Sequence, residues 1–411
     1  MPPGSALRAH WALDPDVVFL NHGSFGACPR EVLEAQSRLR SQMEAEPVRF
    51  FVRELEPLLD EARRVVAAFL GAATDDLVFV RNATAGVNAV LRSLRLSPGD
   101  ELLTSDHAYG ACKNALEYVA EAKGARVVVA RTPFPLESSA QAVAALLGAV
   151  TERTRFALLD HVTSPTGLVL PVAELASELA ARGVDVLVDG AHAPGMLDFD
   201  EASGASLRAL GRAGVRWYTA NFHKWTCAPK GAGVLWARAD SREGLHPTSI
   251  SHGYRSQRAR SRFLEEFDWT GTDDPTPWLC VPEALRVVGA LHPGGWPGVR
   301  AQNRALALAG RAVLCETLGI PEPAPESMIG ALAAVPIPWG RVGAPLSALY
   351  LDPLQIALYE RHRVEVPIVP WPAPPERLLR ISAHLHNAID DYARLAEALV
   401  EELERERSAA R

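Results

Sequence analysis

The sequence predicts an α/β protein whose core is a mostly parallel seven-stranded sheet flanked by helices, followed by a smaller C-terminal α+β domain. Short apolar runs alternate with helical segments between residues 77 and 237, which is typical of a parallel sheet covered on both faces. After about residue 271 the connections are punctuated by proline instead. The 411 residues, 48% of them hydrophobic and 22% charged, suffice for two domains. We therefore divide the chain into an N-terminal arm (1–20), a large domain (21–270) and a small domain (271–411).

Two helices are predicted ahead of the alternation. Pro29 is a favourable first residue for a helix that continues to about Met43. A second helical pattern runs from Glu54 to about Phe69 and ends at Gly71, because glycine readily adopts the left-handed conformation that terminates helices.

Seven apolar runs have the length and composition of buried strands. They are Leu77–Val80, Glu101–Thr104, Ala125–Ala130, Phe156–His161, Val184–Val188, Val215–Ala220 and Gly233–Ala237. Four helical segments separate them, namely Thr84–Leu94, Gly110–Lys123, Ser138–Val150 and Pro171–Arg182.

The C-terminal part mixes helices and strands. Helices are expected at Val281–Leu291, Gly298–Leu318 and Ile389–Arg405, and strands at Ser347–Leu351, Val364–Val369 and Leu378–Ala383.

Charge and cysteine content exclude several classes of protein. A formal net charge of −7 and a pI near 6.0 argue against a nucleic-acid-binding surface. The five cysteines contain no C-x-x-C pair, so neither a disulfide framework nor a metal site is predicted. No apolar run of about 18 residues indicates a membrane span, and the N-terminus lacks a signal-peptide pattern. We expect a cytoplasmic protein whose partners are small molecules and other copies of itself.

Lysine is scarce in this chain. Of 42 basic residues only four are lysines, Lys113, Lys123, Lys224 and Lys230. Arginine cannot form an imine, so imine chemistry with an aldehyde cofactor would need one of these four. Lys113 and Lys123 fall in a helical pattern, and Lys230 falls in a Pro-Gly turn. Lys224 lies in a short polar turn between two predicted strands and is the candidate.

Polar residues that follow the predicted strands suggest a site for pyridoxal phosphate, since ligands of such sheets bind beyond the carboxyl ends of the strands. Asp189 can hold the ring nitrogen protonated, although an aspartate there can also be a helix cap. His192 can contact the phenolic oxygen or the phosphate. Ala83 and Thr84, in the first turn of a helix, can bind the phosphate through backbone N–H groups, and His223 is a second phosphate candidate.

An aromatic face and a cation complete the candidate set. Tyr109, with His107 as the alternative, can stack on the cofactor ring. Arg380 lies inside an apolar strand, where an unpaired charge is costly, and can bind the carboxylate of an amino acid.

In order and spacing, four motifs resemble the class V aminotransferase family of fold-type I pyridoxal-phosphate enzymes. They are Asn82-Ala83-Thr84, the run from His161 to Gly167, Asp189-Gly190-Ala191-His192, and the run from Asn221 to Trp225. Three further segments look most like the isopenicillin N epimerase branch of that family, namely 20–26, 268–274 and 379–382.

The resemblance implies a homodimer with active sites at the subunit interface. It implies Lys224 as the imine lysine, Asp189 on the ring nitrogen and His192 near the phenolic oxygen. The resemblance also implies that Thr84 and His223 hold the phosphate and that Thr272 reaches the phosphate of the neighbouring subunit. Ser164 occupies a position where many class V enzymes carry asparagine. Substrate contacts are expected from Arg380 and from the turn containing Asn21 and His22.

The predicted reaction is proton transfer at the α-carbon of an amino acid, most like that of an isopenicillin N epimerase. Lys224 is the expected base, and epimerisation needs a second acid or base on the opposite face, for which Tyr109 or His107 is the hypothesis. The alternatives are a carbon–sulfur lyase acting by β-elimination and an aminotransferase. A cysteine desulfurase is disfavoured, because Cys315 has the pattern of a buried helical residue. A non-catalytic pyridoxal-phosphate-binding protein is disfavoured by the full set of candidate residues.

Overall fold

A computed structural model describes residues 4–340 and 352–409 of the protein. Its strands, in chain order, are β1 (Val18–Phe19), β2 (Leu77–Val80), β3 (Glu101–Ser105), β4 (Arg126–Ala130), β5 (Thr154–Asp160), β6 (Asp185–Gly190), β7 (Val215–Asn221), β8 (Gly233–Ala237), β9 (Leu332–Ile337), β10 (Val364–Glu365), β11 (Ile368–Pro370) and β12 (Arg377–Ser382).

The helices begin with α1 (His22–Phe25), α2 (Arg30–Ala45), α3 (Pro47–Arg49), α4 (Leu55–Leu70), α5 (Ala83–Ser93), α6 (Gly110–Lys123), α7 (Ser139–Gly148) and α8 (Val172–Ala181). They continue with α9 (Leu207–Arg212), α10 (Arg262–Asp268), α11 (Thr276–Leu279), α12 (Val281–Ala290), α13 (Gly295–Leu318), α14 (Pro353–His362) and α15 (Ile389–Ser408).

The large sheet has seven strands in the order β2-β8-β7-β6-β5-β3-β4. The five strands from β7 to β4 in this order are parallel, whereas β8 pairs antiparallel with both β7 and β2. Each of the seven predicted apolar runs is one of these strands. The prediction of a mostly parallel seven-stranded sheet flanked by helices is confirmed.

Side chains of the central strands pack on both faces of the sheet. In β6, Val186 and Val188 belong to one apolar cluster and Leu187 to another, because successive residues of a strand point to opposite faces. Helices α4 and α8 cover the first face, and α5 and α6 cover the second. A strand buried on both sides is apolar throughout, which is why the sequence shows runs rather than alternation.

The smaller α+β part contains the antiparallel sheet β11-β12-β9 against which α13 packs, with α15 packed on α13 in turn. Of the predicted C-terminal strands, 378–383 corresponds to β12, and 364–369 is divided into β10 and β11 around Pro367. The predicted strand 347–351 lies outside the described residues. The sequence did not predict β9, whose run is interrupted by Pro336.

The N-terminal arm crosses to the C-terminal part. Strand β1 pairs in parallel with β10, and the backbone N–H of Ser5 donates to the carbonyl of His386 at 3.1 Å. These contacts bring the turn that follows β1 next to the end of β12. Among the described helices, we find none that combines the length and the apolar character needed to cross a membrane.

Candidate active site

The carboxyl ends of β5, β6 and β7 open into a cavity of about 320 Å³, a volume in the range of small-molecule sites. Helix α5, the start of α6 and the β7–β8 connection form its walls. Eight of the residues predicted from the sequence line it, namely Ala83, Thr84, Tyr109, Ser164, Asp189, His192, His223 and Lys224. The structure therefore brings most of the predicted cofactor site together.

Lys224 lies at the bottom of this cavity, in the connection between β7 and β8. Burial and the nearby charge of Arg380 lower the pKa of its amine to about 8, with Asp189 acting in the opposite direction. The amine nitrogen lies 3.1 Å from Nε2 of His192. A neutral fraction of the amine is thus present near neutral pH, as a nucleophile or general base requires.

Asp189 is the penultimate residue of β6, and two hydrogen bonds hold its carboxylate in place. Its Oδ1 accepts a hydrogen bond from the backbone N–H of Ala191 at 2.9 Å, and its Oδ2 accepts one from the thiol of Cys112 at 3.2 Å. Asp160 is its neighbour in register on β5 and is also buried. Burial raises the pKa of both carboxyl groups, and the charge of Asp189 raises the pKa of Asp160 further. An ionised carboxylate here calls for a cationic partner, such as a protonated ring nitrogen.

The start of α5 is anchored against β7. The side chain of Asn82 caps the helix by accepting from the N–H of Ala85 at 2.9 Å, and Oδ1 of Asn221 accepts from the N–H of Ala83 at 2.8 Å. Nearby, Nδ1 of His223 is buried without a hydrogen-bond partner among the described residues. A helix N-terminus beside an unsatisfied imidazole nitrogen suits a phosphate group.

Arg380 on β12 is not part of the cavity lining, but it contacts two residues that are, Ser164 and Ser24. Its Nη1 donates to the carbonyl of Ser164 at 2.6 Å, and its Nη2 donates to the hydroxyl of Ser24 at 3.0 Å. Burial lowers the pKa of the guanidinium to about 10, and among the described residues no carboxylate forms an ion pair with it. A buried, uncompensated guanidinium is the feature expected of a site that binds a carboxylate ligand.

The aminotransferase class V family model matches residues 18–392 of this chain. The chain belongs to the class V aminotransferase family. It is 36% identical to the isopenicillin N epimerase of Streptomyces clavuligerus, over 95% of this chain and 96% of that protein. It is also 32% identical to the probable chloroplastic L-cysteine desulfhydrase of Arabidopsis thaliana, over 94% of this chain and 83% of that protein.

A solved structure supports the fold independently. A lysine-to-alanine mutant of C-DES, which carries glycine covalently linked to its pyridoxal-phosphate cofactor, superposes with a TM-score of 0.74. Its sequence identity is 21%, and the match covers 96% of this chain and 99% of that one. The class V protein is therefore a fold-type I, pyridoxal-phosphate-dependent enzyme, and its cofactor is pyridoxal 5′-phosphate. The lysine amine, the strand-end carboxylate and the helix N-terminus in one cavity fit that cofactor.

The sequence left open whether Tyr109 or His107 faces the cofactor, and the structure places these two rings differently. Tyr109 lines the cavity and is about half exposed, and burial together with nearby Cys112 and Asp189 raises the pKa of its phenol. His107 is buried outside the cavity lining, with Nδ1 2.8 Å from Oγ1 of Thr166 and Nε2 3.0 Å from the carbonyl of Thr132. Tyr109 is thus the ring that the class V enzyme presents to its cavity.

Besides His107 and Arg380, three predicted residues lie outside the cavity lining. The ring of His22 is buried, with Nδ1 3.1 Å from Nε2 of His386 and Nε2 3.0 Å from the carbonyl of Lys224. Nδ2 of Asn21 donates to Oε1 of Glu365 at 2.8 Å. Thr272 is exposed in the segment between α10 and α11. His22 therefore supports, from outside the cavity, the backbone of the lysine loop, which is the connection between β7 and β8 (residues 222–232).

A buried cluster of His22, Cys227 and His384 contacts the backbone of the lysine loop on the side away from the cavity lining. Ligand-type atoms of His22, Cys227 and His384 lie within 4.8 Å of one another, a grouping that the sequence spacing did not suggest. Nε2 of His384 also lies 3.2 Å from the carbonyl of Trp225. The cluster fixes the loop through these backbone carbonyls.

Sequence reasoning missed several residues of the cavity. Asp160 and Lys230 line it as well, whereas Ser24 and Phe25, which also line it, belong to the turn 21–25 from which substrate contacts were expected. A signal existed for Asp160, which lies at the end of an apolar run as Asp189 does and is in register with it. Lys230 has the sequence context of a turn residue. In the structure its Nζ donates a hydrogen bond to the carbonyl of Gly26 at 2.9 Å and so links the lysine loop to the end of α1.

Proposed function

We propose that this class V enzyme epimerises an amino-acid-type substrate at its α-carbon, in the manner of an isopenicillin N epimerase. The observation that carries the proposal is a cavity that contains two proton-transfer groups of opposite character on different elements, Lys224 after β7 and Tyr109 before α6. Identity of 36% to the Streptomyces clavuligerus epimerase supports the same reaction.

The two groups have complementary protonation. The lowered pKa of Lys224, about 8, makes its amine available as a base that removes the α-proton. The raised pKa of the Tyr109 phenol keeps its proton in place for donation to the carbon. Bound pyridoxal phosphate supplies the electron sink that makes the α-proton acidic. Removal by one group and return by the other inverts the configuration.

The remaining residues bind and orient. Arg380 binds the substrate carboxylate, and Asp189 pairs with the cofactor ring nitrogen. Ala83, Thr84 and His223 hold the phosphate, and His192 contacts the phenolic oxygen. Ser164 contributes by fixing Arg380, whose Nη1 donates both to the carbonyl of Ser164, at 2.6 Å, and to its hydroxyl, at 3.2 Å.

We propose further that the enzyme works as a homodimer in the cytoplasm. Large apolar side chains are exposed beside the cavity and on the segment between α3 and α4, including Phe25 at 70% and Val52 at 75% exposure. In such a dimer, as the family resemblance implies, Thr272 would reach the phosphate of the neighbouring subunit. All five cysteines are free, as expected in a reducing compartment. Light scattering of the purified protein tests the dimer, and a monomer at micromolar concentration would contradict it.

The decisive experiment follows the α-carbon in deuterated water. Amino acids incubated with the holoenzyme are expected to take up one α-deuterium and to appear with inverted configuration by chiral chromatography. Tyr109→Phe is expected to keep α-proton exchange but lose inversion by about 10²-fold or more. Lys123→Ala, which removes an exposed lysine of α6, serves as the control. Exchange without inversion in the wild type would overturn the epimerase proposal.

A carbon–sulfur lyase is the second candidate, favoured by 32% identity to the Arabidopsis desulfhydrase. β-Elimination needs Lys224 and a substrate with a leaving group, but no acid on the opposite face. Pyruvate and sulfide released from cysteine, unaffected by Tyr109→Phe, would support it. Amine transfer to an added keto acid would indicate an aminotransferase instead. A desulfurase would need an accessible thiol, and all five cysteines are buried.

A further inference from the structure

The indole of Trp225 lies outside the cavity lining but contacts one of its residues. This side chain is fully buried, and its Nε1 lies 3.3 Å from Nδ1 of His192. Nε2 of the same imidazole lies 3.1 Å from Nζ of Lys224. Trp225, His192 and Lys224 thus form a continuous hydrogen-bonded chain that ends on the lysine nitrogen.

The direction of donation along these hydrogen bonds follows from which groups carry a hydrogen. An indole nitrogen can only donate, so Nδ1 of His192 must accept. A neutral imidazole carries one N–H, and that hydrogen must therefore reside on Nε2. Nε2–H in turn needs an acceptor, and an amine nitrogen accepts only through its free lone pair. A protonated Lys224 would set two donors against each other.

We propose that Trp225 is a positioning residue of this active site, which holds His192 in the tautomer with hydrogen on Nε2 and thereby directs an N–H donor at the lysine nitrogen and its surroundings. Its indole N–H acts through the imidazole and touches no reacting atom. The inference rests on the role of Lys224 proposed above. It assigns a function to the third residue of the His223-Lys224-Trp225 motif.

The indole is held in one place. Its ring lies 6.4 Å from that of His384 at an interplanar angle of 23° and 5.4 Å from that of His22 at 43°. The same two histidines hold the backbone on either side: Nε2 of His22 lies 3.0 Å from the carbonyl oxygen of Lys224, and Nε2 of His384 lies 3.2 Å from that of Trp225. A Cβ on Gly195 would meet the Trp225 carbonyl carbon at 2.7 Å, so the chain packs closely on the other side as well. This rigidity is what a tautomer-setting donor requires.

Other charges face the same groups and must be kept constant in a test. Arg380, Asp189 and Cys112 act on the Lys224 amine, and Arg380 and His223 act with Lys224 on His192. Trp225→Phe leaves all of them in the sequence and removes only the indole nitrogen and part of its ring. A change caused by this substitution reports the hydrogen bond to Nδ1.

The first test reads the tautomer directly. Full-length holoenzyme with ¹⁵N-labelled histidine is examined by NMR, in which protonated and unprotonated ring nitrogens differ in chemical shift, and His192→Gln identifies the resonances of His192. Hydrogen on Nε2 over the neutral pH range is expected. Hydrogen on Nδ1 in the wild type would overturn the proposal, and this measurement needs no folded tryptophan variant.

The second test reads the consequence at the lysine. An N–H donor favours the unprotonated form of the nitrogen that it faces, so its loss should move the midpoint of the pH-dependent visible absorbance of the holoenzyme upward by about one unit, or tenfold in proton affinity. Trp236→Phe is the matched control, because Trp236 is also fully buried and its indole nitrogen has no partner among the described residues. An unchanged midpoint in Trp225→Phe, or an equal shift in Trp236→Phe, would overturn the proposal. A visible band that survives Lys224→Ala would instead remove the proposed role of the lysine and leave the tautomer result standing.

Discussion

The bottom and the rim of the cavity are built differently. At the bottom, Asp189 and His192 are buried and Lys224 is partly buried, and each has a defined partner within hydrogen-bonding distance. At the rim, Phe25 is 70% exposed. The bottom is therefore preorganised for pyridoxal phosphate, whereas the exposed rim has fewer fixed contacts and can adapt to the substrate side chain.

Burial shifts the pKa values of the groups at the bottom of the cavity. At the bottom it lowers the pKa of Lys224 to about 8 and raises that of Asp189, so both groups depart from their solution behaviour. Perturbed groups of this kind cluster at functional sites. Substitutions at the bottom should act on the chemistry, and substitutions at the rim should act on substrate choice.

The largest effect is expected for Lys224→Ala. In the proposed mechanism Lys224 is both the covalent anchor of the cofactor and the base, so activity should fall by roughly 10³-fold or more when its amine is removed. The visible band of the purified protein should disappear, and the absorbance spectrum after addition of pyridoxal phosphate measures this. Lys123→Ala should keep both, and loss of the band in that control would place the imine elsewhere.

The next largest effect is expected for Arg380→Lys. Lysine keeps a positive charge but cannot reproduce the bonds of the guanidinium to both Ser164 and Ser24. KM for amino acids should rise by about 10- to 100-fold, equivalent to about 1.4–2.8 kcal/mol of lost binding. Steady-state kinetics check this, with substrate amides as a comparison. An equal loss for the amide, which lacks the carboxylate, would contradict the assignment.

A smaller effect concerns pH. Only the neutral amine of Lys224 attacks an aldehyde, and its fraction rises with pH up to the pKa of about 8. The rate at which apoprotein takes up pyridoxal phosphate should therefore increase about tenfold per unit below that pH and level off above it. Stopped-flow absorbance measures the profile. A rate that continues to rise toward about pH 10, where an ordinary lysine titrates, would show that the amine is not perturbed.

The smallest effect is expected at the rim. Phe25→Ala removes an exposed ring that lines the cavity, so KM should change only a few-fold and kcat should be nearly constant. The preference among amino acids with different side chains should change more than either constant. A loss of kcat comparable to that of a residue at the bottom would remove the distinction between the two regions.

The sequence predicted the large sheet well because its strands are buried on both faces. Each of the seven strands appears in the sequence as a clear apolar run. Residues that follow parallel strands meet at one edge of the sheet, which is why Asp189 and Lys224 could be predicted to lie close together. Strand β9 was missed because it is interrupted by Pro336 and followed by residues without a clear pattern.

The direction of side chains in turns could not be predicted in the same way. His107 and Tyr109 are two residues apart, yet one ring is buried against Trp371 and the other reaches the cavity. His22 faces a histidine cluster contributed by a segment more than 350 residues away, as its contact with His386 shows. Such orientations depend on tertiary neighbours that local sequence does not specify. The domain boundary near residue 270 and the individual binding roles remain predictions.

The antiparallel strand β8 has a consequence for local opening of the structure. It is hydrogen-bonded on both sides, by β7 and by β2, so the lysine loop is closed by strands inside the sheet. The bond from the N–H of Phe222 to the carbonyl of Ala232, at 2.8 Å, continues this ladder into the loop. Amide hydrogens there should exchange with solvent only when the sheet itself opens, at rates close to those of global unfolding. We therefore expect Lys224 to be carried by one of the slowest-exchanging parts of the chain.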